Sequence, residues 1–220
     1  MSNSIIQLLV LAGVALFLIL KLRGVLGTRD GFEGQNDPKP LPGGPQARRG
    51  FEVIEGGPDR DITDHVADGT EAARALAAMK LVEPSFNVSG FLQGARGAYE
   101  MILTAFAKGE LDRIRSFLSP EVAESFAGVI ADRKARGLTL TSELLGIREL
   151  ALQDAEFSRT NNEAEISVRF VAEMISATRD TSGDVVDGDP KHARKQKDVW
   201  TFGRTMGAND PNWMLVATGE

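Results

Sequence analysis

The sequence predicts an α+β domain behind an N-terminal membrane anchor: helices packed on a curved antiparallel sheet, reached through a flexible linker. Three observations carry this. Residues 5–20, IIQLLVLAGVALFLIL, form an apolar run with no charge inside it. Residues 91–137 then repeat apolar side chains at spacings of three and four. After Gly137 the period becomes two, as in strands covered on one face. Helices first and strands afterwards place the helices on one side of the sheet.

The apolar run is the first element. A helix rising 1.5 Å per residue makes it roughly 24 Å long, a slightly short span for a hydrocarbon core of about 30 Å. Met1 and the polar residues after it lengthen it by a turn. The anchor is placed at residues 4–22, with Ile5, Leu8, Leu9, Val10, Leu11, Val14, Leu16, Phe17, Leu18, Ile19 and Leu20 facing lipid. A signal peptide needs a basic leader before its apolar core. Here Lys21, Arg23 and Arg29 all follow the run. The positive-inside rule then puts the C-terminal bulk in the cytoplasm. The same three cations form a juxtamembrane strip able to meet anionic lipid headgroups.

Residues 23–69 read as that strip followed by a linker. Pro38, Pro40, Pro42, Gly43, Gly44 and Pro45 break any helix or strand pattern. Asp61, Asp64 and His65 lie close in sequence near the linker's end and invite a metal reading, but flexible acidic linkers produce such clusters by chance. Residues 70–220 form the folded domain, long enough for one core. Thr70 caps a lead-in helix over 70–81, with Ala72, Ala75, Leu76 and Met79 on one face. Asn87 or Ser89 starts a stronger helix over 91–108 that stops at Gly109. Leu111, Ile114 and Leu118 predict a short helix with Phe117 buried. Ser119-Pro120-Glu121 opens another, with Val122, Phe126, Val129 and Ile130 as its stripe.

The strands follow. Residues 144–157 carry Leu150 and Leu152 on one side. In 164–174 the even positions are apolar, from Ala164 through Phe170 to Met174. In 198–204 Trp200 and Phe202 share a phase, as do Trp213 and Leu215 in 212–218. Gly183, Gly188 and Pro190 punctuate a long connection between the second and third strands. A sheet curved around helices leaves an apolar groove between the layers. Phe91, Tyr99, Phe106, Phe170, Trp200, Phe202, Trp213 and Leu215 are expected as core or groove lining.

Composition excludes several chemistries. With no cysteine there is no disulfide, thiolate catalyst or Cys-based zinc site. A net charge of -6 argues against a nucleic-acid partner. Only His65 and His192 are available for imidazole chemistry. No phosphate loop, nucleophile elbow or metal-helix motif is present. Asp180, Asp184, Asp187 and Asp189 form an acidic loop without EF-hand spacing. No cofactor, metal site or catalytic group is expected.

FLQGARGAYEMILTAFAKGELDRIRSFLSPEV, followed by SVRF, DVWTF and DPNWMLVAT, resembles the Tim-forty-four-like domain family over residues 86–218. The anchor followed by KLRGVLGTRDGFE looks like its short bacterial members. The resemblance implies a nuclear-transport-factor-like or cystatin-like cone and no catalysis. It implies an adaptor or scaffold at an inner membrane, bacterial or, if mitochondrial, with the domain on the matrix side. It implies lipid or peptide in the apolar groove, and Gly94, Ala95, Tyr99, Phe106, Trp200, Phe202, Trp213 and Leu215 as core or groove residues. Where the mitochondrial member has a long charged half, this chain has a Gly/Pro linker. The expected partners are anionic lipid and a protein at the inner membrane. The alternative is a small-molecule or lipid-binding cone, or a degenerate enzyme.

Overall fold

Among the described residues, four side chains open four α-helices in the same way: a side-chain oxygen accepts an amide N–H that the first turn leaves without an intrahelical partner. Asp59 accepts from Asp61 N to start α1 (Arg60–Thr63). Thr70 accepts from Ala73 N to start α2 (Glu71–Val82). Asn87 accepts from Gly90 N to start α3 (Val88–Lys108), and Ser119 from Val122 N to start α4 (Pro120–Ala135). The computed structural model describes residues 59–219. The anchor at 4–22, the strip with Lys21, Arg23 and Arg29, and most of the linker lie outside the described residues.

Helix α1 falls within the stretch read as linker. It is ordered because Asp61 reaches 27 residues along the chain. Its carboxylate accepts the amides of Val88 (2.7 Å) and Ser89 (3.1 Å) at the start of α3, and meets Lys80 Nζ at 2.7 Å. Asp59 meets the same ammonium at 2.6 Å. Ile62 beneath them is buried. Asp61 is therefore a structural cap, and His65 Nε2 lies 3.2 Å from Ser89 Oγ in the same joint.

Between α3 and α4 the expected short helix is two 3₁₀ turns, Leu111–Arg113 and Arg115–Phe117. Gly109, at φ 73°, ends α3, and Ser119-Pro120 opens α4. The interval between these punctuations is too short for a stable α-helix. Ile114 is buried between the turns, while Phe117 is half-buried. In α4, Val122 and Ala123 are buried, Phe126 is half-buried and Val129 is exposed, so the stripe is covered mainly toward its N-terminus.

The sheet is an antiparallel meander of β1 (Thr139–Phe157), β2 (Glu163–Arg179), β3 (Val185–Thr205) and β4 (Met214–Gly219), in that spatial order. The even residues of β2 from Ala164 to Met174 are all buried. They join the core in which Tyr99 of α3 stacks on Phe170, with Trp200 and Phe202 of β3 beside them, while α2 and α3 lie mainly over β1. Strand β3 begins 13 residues earlier than the alternation in 198–204 suggests. The connection from β2 is a tight turn in which Asp180 Oδ1 accepts the amides of Ser182 and Asp184. Gly188 and Pro190 therefore lie inside the strand. The ladder jumps there from Met174↔Arg194 to Ser176↔Asp189, a bulge that destroys the two-residue period.

Candidate ligand cleft

A cleft of about 380 Å³ opens between the N-terminal half of α3 and the end of the sheet where β3 meets β4. Its floor is the small-residue side of α3, where Gly90, Gly94, Ala95 and Ala98 leave room that larger side chains would fill. A Cβ added at Gly94 would meet nothing within 4 Å. The walls are aromatic. Phe91 sets its edge against Trp213, with centroids 4.8 Å apart, and against Phe202 at 6.0 Å. Phe86 packs on the other side of Trp213 at 5.9 Å. Phe117 and Met101 complete the apolar lining.

One end of the cleft is polar and internally committed. Arg204 Nη2 donates to Glu83 Oε2 at 2.7 Å, and Gly207 N donates to the same oxygen at 3.0 Å. Burial pushes the Glu83 carboxyl up, but the Gly207 amide and the Arg204 guanidinium outweigh it and hold it below the usual range. Arg204 Nε also donates to Asp210 O at 3.2 Å, and its guanidinium lies 6.0 Å from the Trp213 ring centroid. This pair ties the end of α2 to β3 and holds the Trp213 loop in place. Asn87 and Asn212 stand at the rim.

Behind the cleft lies a buried polar contact. Tyr99 and Phe170 stack at 4.3 Å with 9° between their planes, and Trp200 leans on Tyr99 at 4.6 Å. The Tyr99 hydroxyl donates to Asp198 Oδ2 at 2.5 Å, and Gln196 Nε2 donates to both carboxylate oxygens. Burial and the adjacent carboxylate push the Tyr99 phenol far above its ordinary range. Tyr99 is thus held as a neutral hydroxyl donor to the buried Asp198 side chain.

Of the eight lining residues named from sequence, Phe91, Phe202 and Trp213 face the cleft. Tyr99, Phe170, Trp200 and Leu215 are buried in the core behind it. Phe106 packs on Phe126 at 4.8 Å, away from the cleft, beneath the Arg133 guanidinium. Arg133 also donates to the carbonyls of Phe106 and Ala107, closing the C-terminal end of α3. The cleft also uses Phe86, Phe117, Glu83 and Arg204, which sequence reasoning did not single out as lining. Phe86 and Phe117 sit just before the capping residues Asn87 and Ser119, where apolar residues fall outside both periods. Arg204 continues the Trp200–Phe202 phase and was the available signal.

Asp180 and Asp189 of the acidic loop act as turn and strand residues. Asp180 holds the β2–β3 turn. Asp189 accepts the amides of Lys191 and His192 and lies 2.8 Å from His192 Nδ1. These contacts lower its carboxyl to about 2, the Lys191 amide contributing most.

A family model described as the Tim44-like domain matches residues 72–220, most of the described chain. The chain belongs to the Tim44-like domain family. Three curated relatives are similar. The human mitochondrial import inner membrane translocase subunit TIM44 is 27% identical over 167 residues, 71% of this chain and 36% of that protein. The rat protein of the same name is 28% identical over 167 residues, with the same coverage. TIM44-1 of Arabidopsis thaliana is 20% identical over 129 residues, 59% of this chain and 27% of that protein. The chain thus spans about a third of the length of the mammalian relatives it matches. The crystal structure of the intermembrane space region of chloroplast protein ARC6 aligns with a TM-score of 0.36 at 12% identity, over 56% of this chain and 94% of that one. Among the described residues of this Tim44-like chain, no helix is long and apolar enough to cross a membrane.

Proposed function

We propose that this chain is a membrane-anchored adaptor or scaffold, holding a protein partner or lipid at an inner membrane. Residues 4–22 form the single span and Lys21, Arg23 and Arg29 rest on anionic headgroups. The Tim44-like domain hangs from the linker on the cytoplasmic side in a bacterium, or the matrix side in a mitochondrion. Its helices and sheet form a cone of the nuclear-transport-factor-like kind, and the cleft is its mouth. Kinship with import-translocase subunits supports a role in protein transport.

The observation that carries this reading is the state of the cleft. Its walls are aromatic, its polar end is internally bonded, and among the described residues its acidic group, Glu83, is tied to Arg204. A general acid or base needs a proton-exchanging group free to face substrate. A locked ion pair beside an apolar wall suits binding without turnover. The second reading, a small-molecule or lipid-binding domain, is favoured by one number: about 380 Å³ falls within the range of small-ligand pockets.

Crosslinking capture from intact membranes tests the proposal, using the tagged full chain and a version lacking residues 1–27. The adaptor reading expects the full chain to resist carbonate extraction and to recover a discrete protein. The shortened chain should lose both properties. A co-purifying apolar metabolite with no protein partner would transfer the assignment to the second reading.

A further inference from the structure

A second surface lies away from the cleft, on β3. Strand β4 pairs with β3 only from Val199 to Gly203. Before Val199, the same side of β3 has no strand partner among the described residues. That open edge carries the sequence Lys191-His192-Ala193-Arg194-Lys195-Gln196-Lys197, four Lys and Arg in seven residues of a chain whose net charge is -6. Lys191, Arg194 and Lys197 make no ion pair among the described residues. Lys195 stands across the ladder from Glu173, whose carboxylate is held by Arg148 at 2.6 Å. A shallow groove of about 590 Å³ lies over the β2–β3 ladder beside the strip, lined by Met174 and Ser176 of β2 and by residues 194–198 of β3.

From this edge the geometry points to an acidic, extended peptide segment as its ligand, added as a further strand beside residues 194–198 in line with β4. Unpaired main-chain groups on a sheet edge bind an extended chain by continuing the ladder. Lysines on an edge repel a second copy of the same edge, so they select a partner of opposite charge. A nucleic acid fits less well, because the one ring in residues 191–197, the His192 imidazole, is engaged by the Asp189 carboxylate at 2.8 Å. An anionic bilayer fits less well too, because the hairpin tip beyond the strip carries Asp180, Asp184 and Asp187. Asp198, buried and already bonded to Tyr99 and Gln196, marks the end of the basic strip.

The test uses the purified full chain in neutral phosphatidylcholine nanodiscs and a fluorescein-labelled ten-residue peptide of alternating Glu and Val. Fluorescence anisotropy should saturate at low salt and weaken as ionic strength rises. The triple substitution R194E/K195E/K197E should weaken binding by about tenfold or more. The milder K195Q/K197Q should weaken it less while retaining the native circular dichroism spectrum. A peptide with Pro at two central positions should also bind at least about tenfold more weakly, because it cannot complete the ladder. Absence of saturable binding overturns the inference, as does equal binding of the Pro-containing peptide, which would reduce the effect to charge adsorption. Phosphatidylglycerol vesicles or RNA binding through these three cations, with the peptide left unbound, would assign the strip to that ligand instead.

Discussion

Asp61 shows how far one carboxylate can organise this chain. It accepts two amides at the start of α3 and meets Lys80 from α2. Burial alone would push its carboxyl up; Lys80 and the amides of Val88 and Ser89 outweigh this and hold it well below the usual range. A depressed folded-state pKa contributes stability above the unfolded carboxylate's pKa of about 4 and loses it as pH falls further. Asp61→Ala should therefore cost about 1–3 kcal/mol at pH 7. The gap from the native chain should close as pH falls below about 4. Urea unfolding at a series of pH values checks this; a gap independent of pH down to about 2 would contradict it. In sequence Asp61 looks like one more acid near a polar linker, since nothing local announces a partner 27 residues away. The Tyr99–Asp198 contact was illegible for the same reason: its partners are 99 residues apart.

At the scale of elements, α2, α3 and α4 were legible because their caps and stops are local, whereas the short α1 was read as linker. Thr70, Asn87, Gly109, and Ser119 with Pro120 each act within a few residues. The central strand β2 was legible because one face is fully buried and its alternation is almost unbroken. The first half of β3 was not. It is exposed on both faces, so burial imposes no alternation, and the bulge at 190–193 shifts whatever phase remains. Gly188 belongs to that irregularity: its φ is 79°, and a Cβ added there would lie only 2.2 Å from Ser176 O. Gly188→Ala must move backbone. It should destabilise the hairpin by more than the ~1 kcal/mol of an ordinary left-handed glycine. Faster amide exchange in 176–189, with the core around Phe170 unchanged, is the expected readout. Unaltered exchange there would show that the ladder is not held at this point.

For the molecule as a whole, the division between cleft and core follows from depth along α3. Phe91 near its start lines the cleft with Trp213 and Phe202, though Phe91 and Phe202 are themselves buried and Trp213 is the half-exposed member. Tyr99, about two turns further along, is buried against Phe170 and Trp200 and bonded to Asp198. Periodicity identified all of them as inward-facing and could not separate wall from interior, because both share one phase. The cleft's remaining walls come from loops just before helix caps, where no period operates. The family match covers residues 72–220. The central claim is that this mouth holds a partner at a membrane without catalysing a reaction. Site-specific photocrosslinking tests it most directly, with a photoreactive amino acid at Phe117 in the cleft and, for comparison, at exposed Val129 on α4. The account predicts a discrete protein adduct in intact membranes from position 117, absent from 129 and reduced when Trp213 is changed to Ala. Equal adducts from both positions, or none from 117 in the presence of an abundant small-molecule adduct, would contradict it.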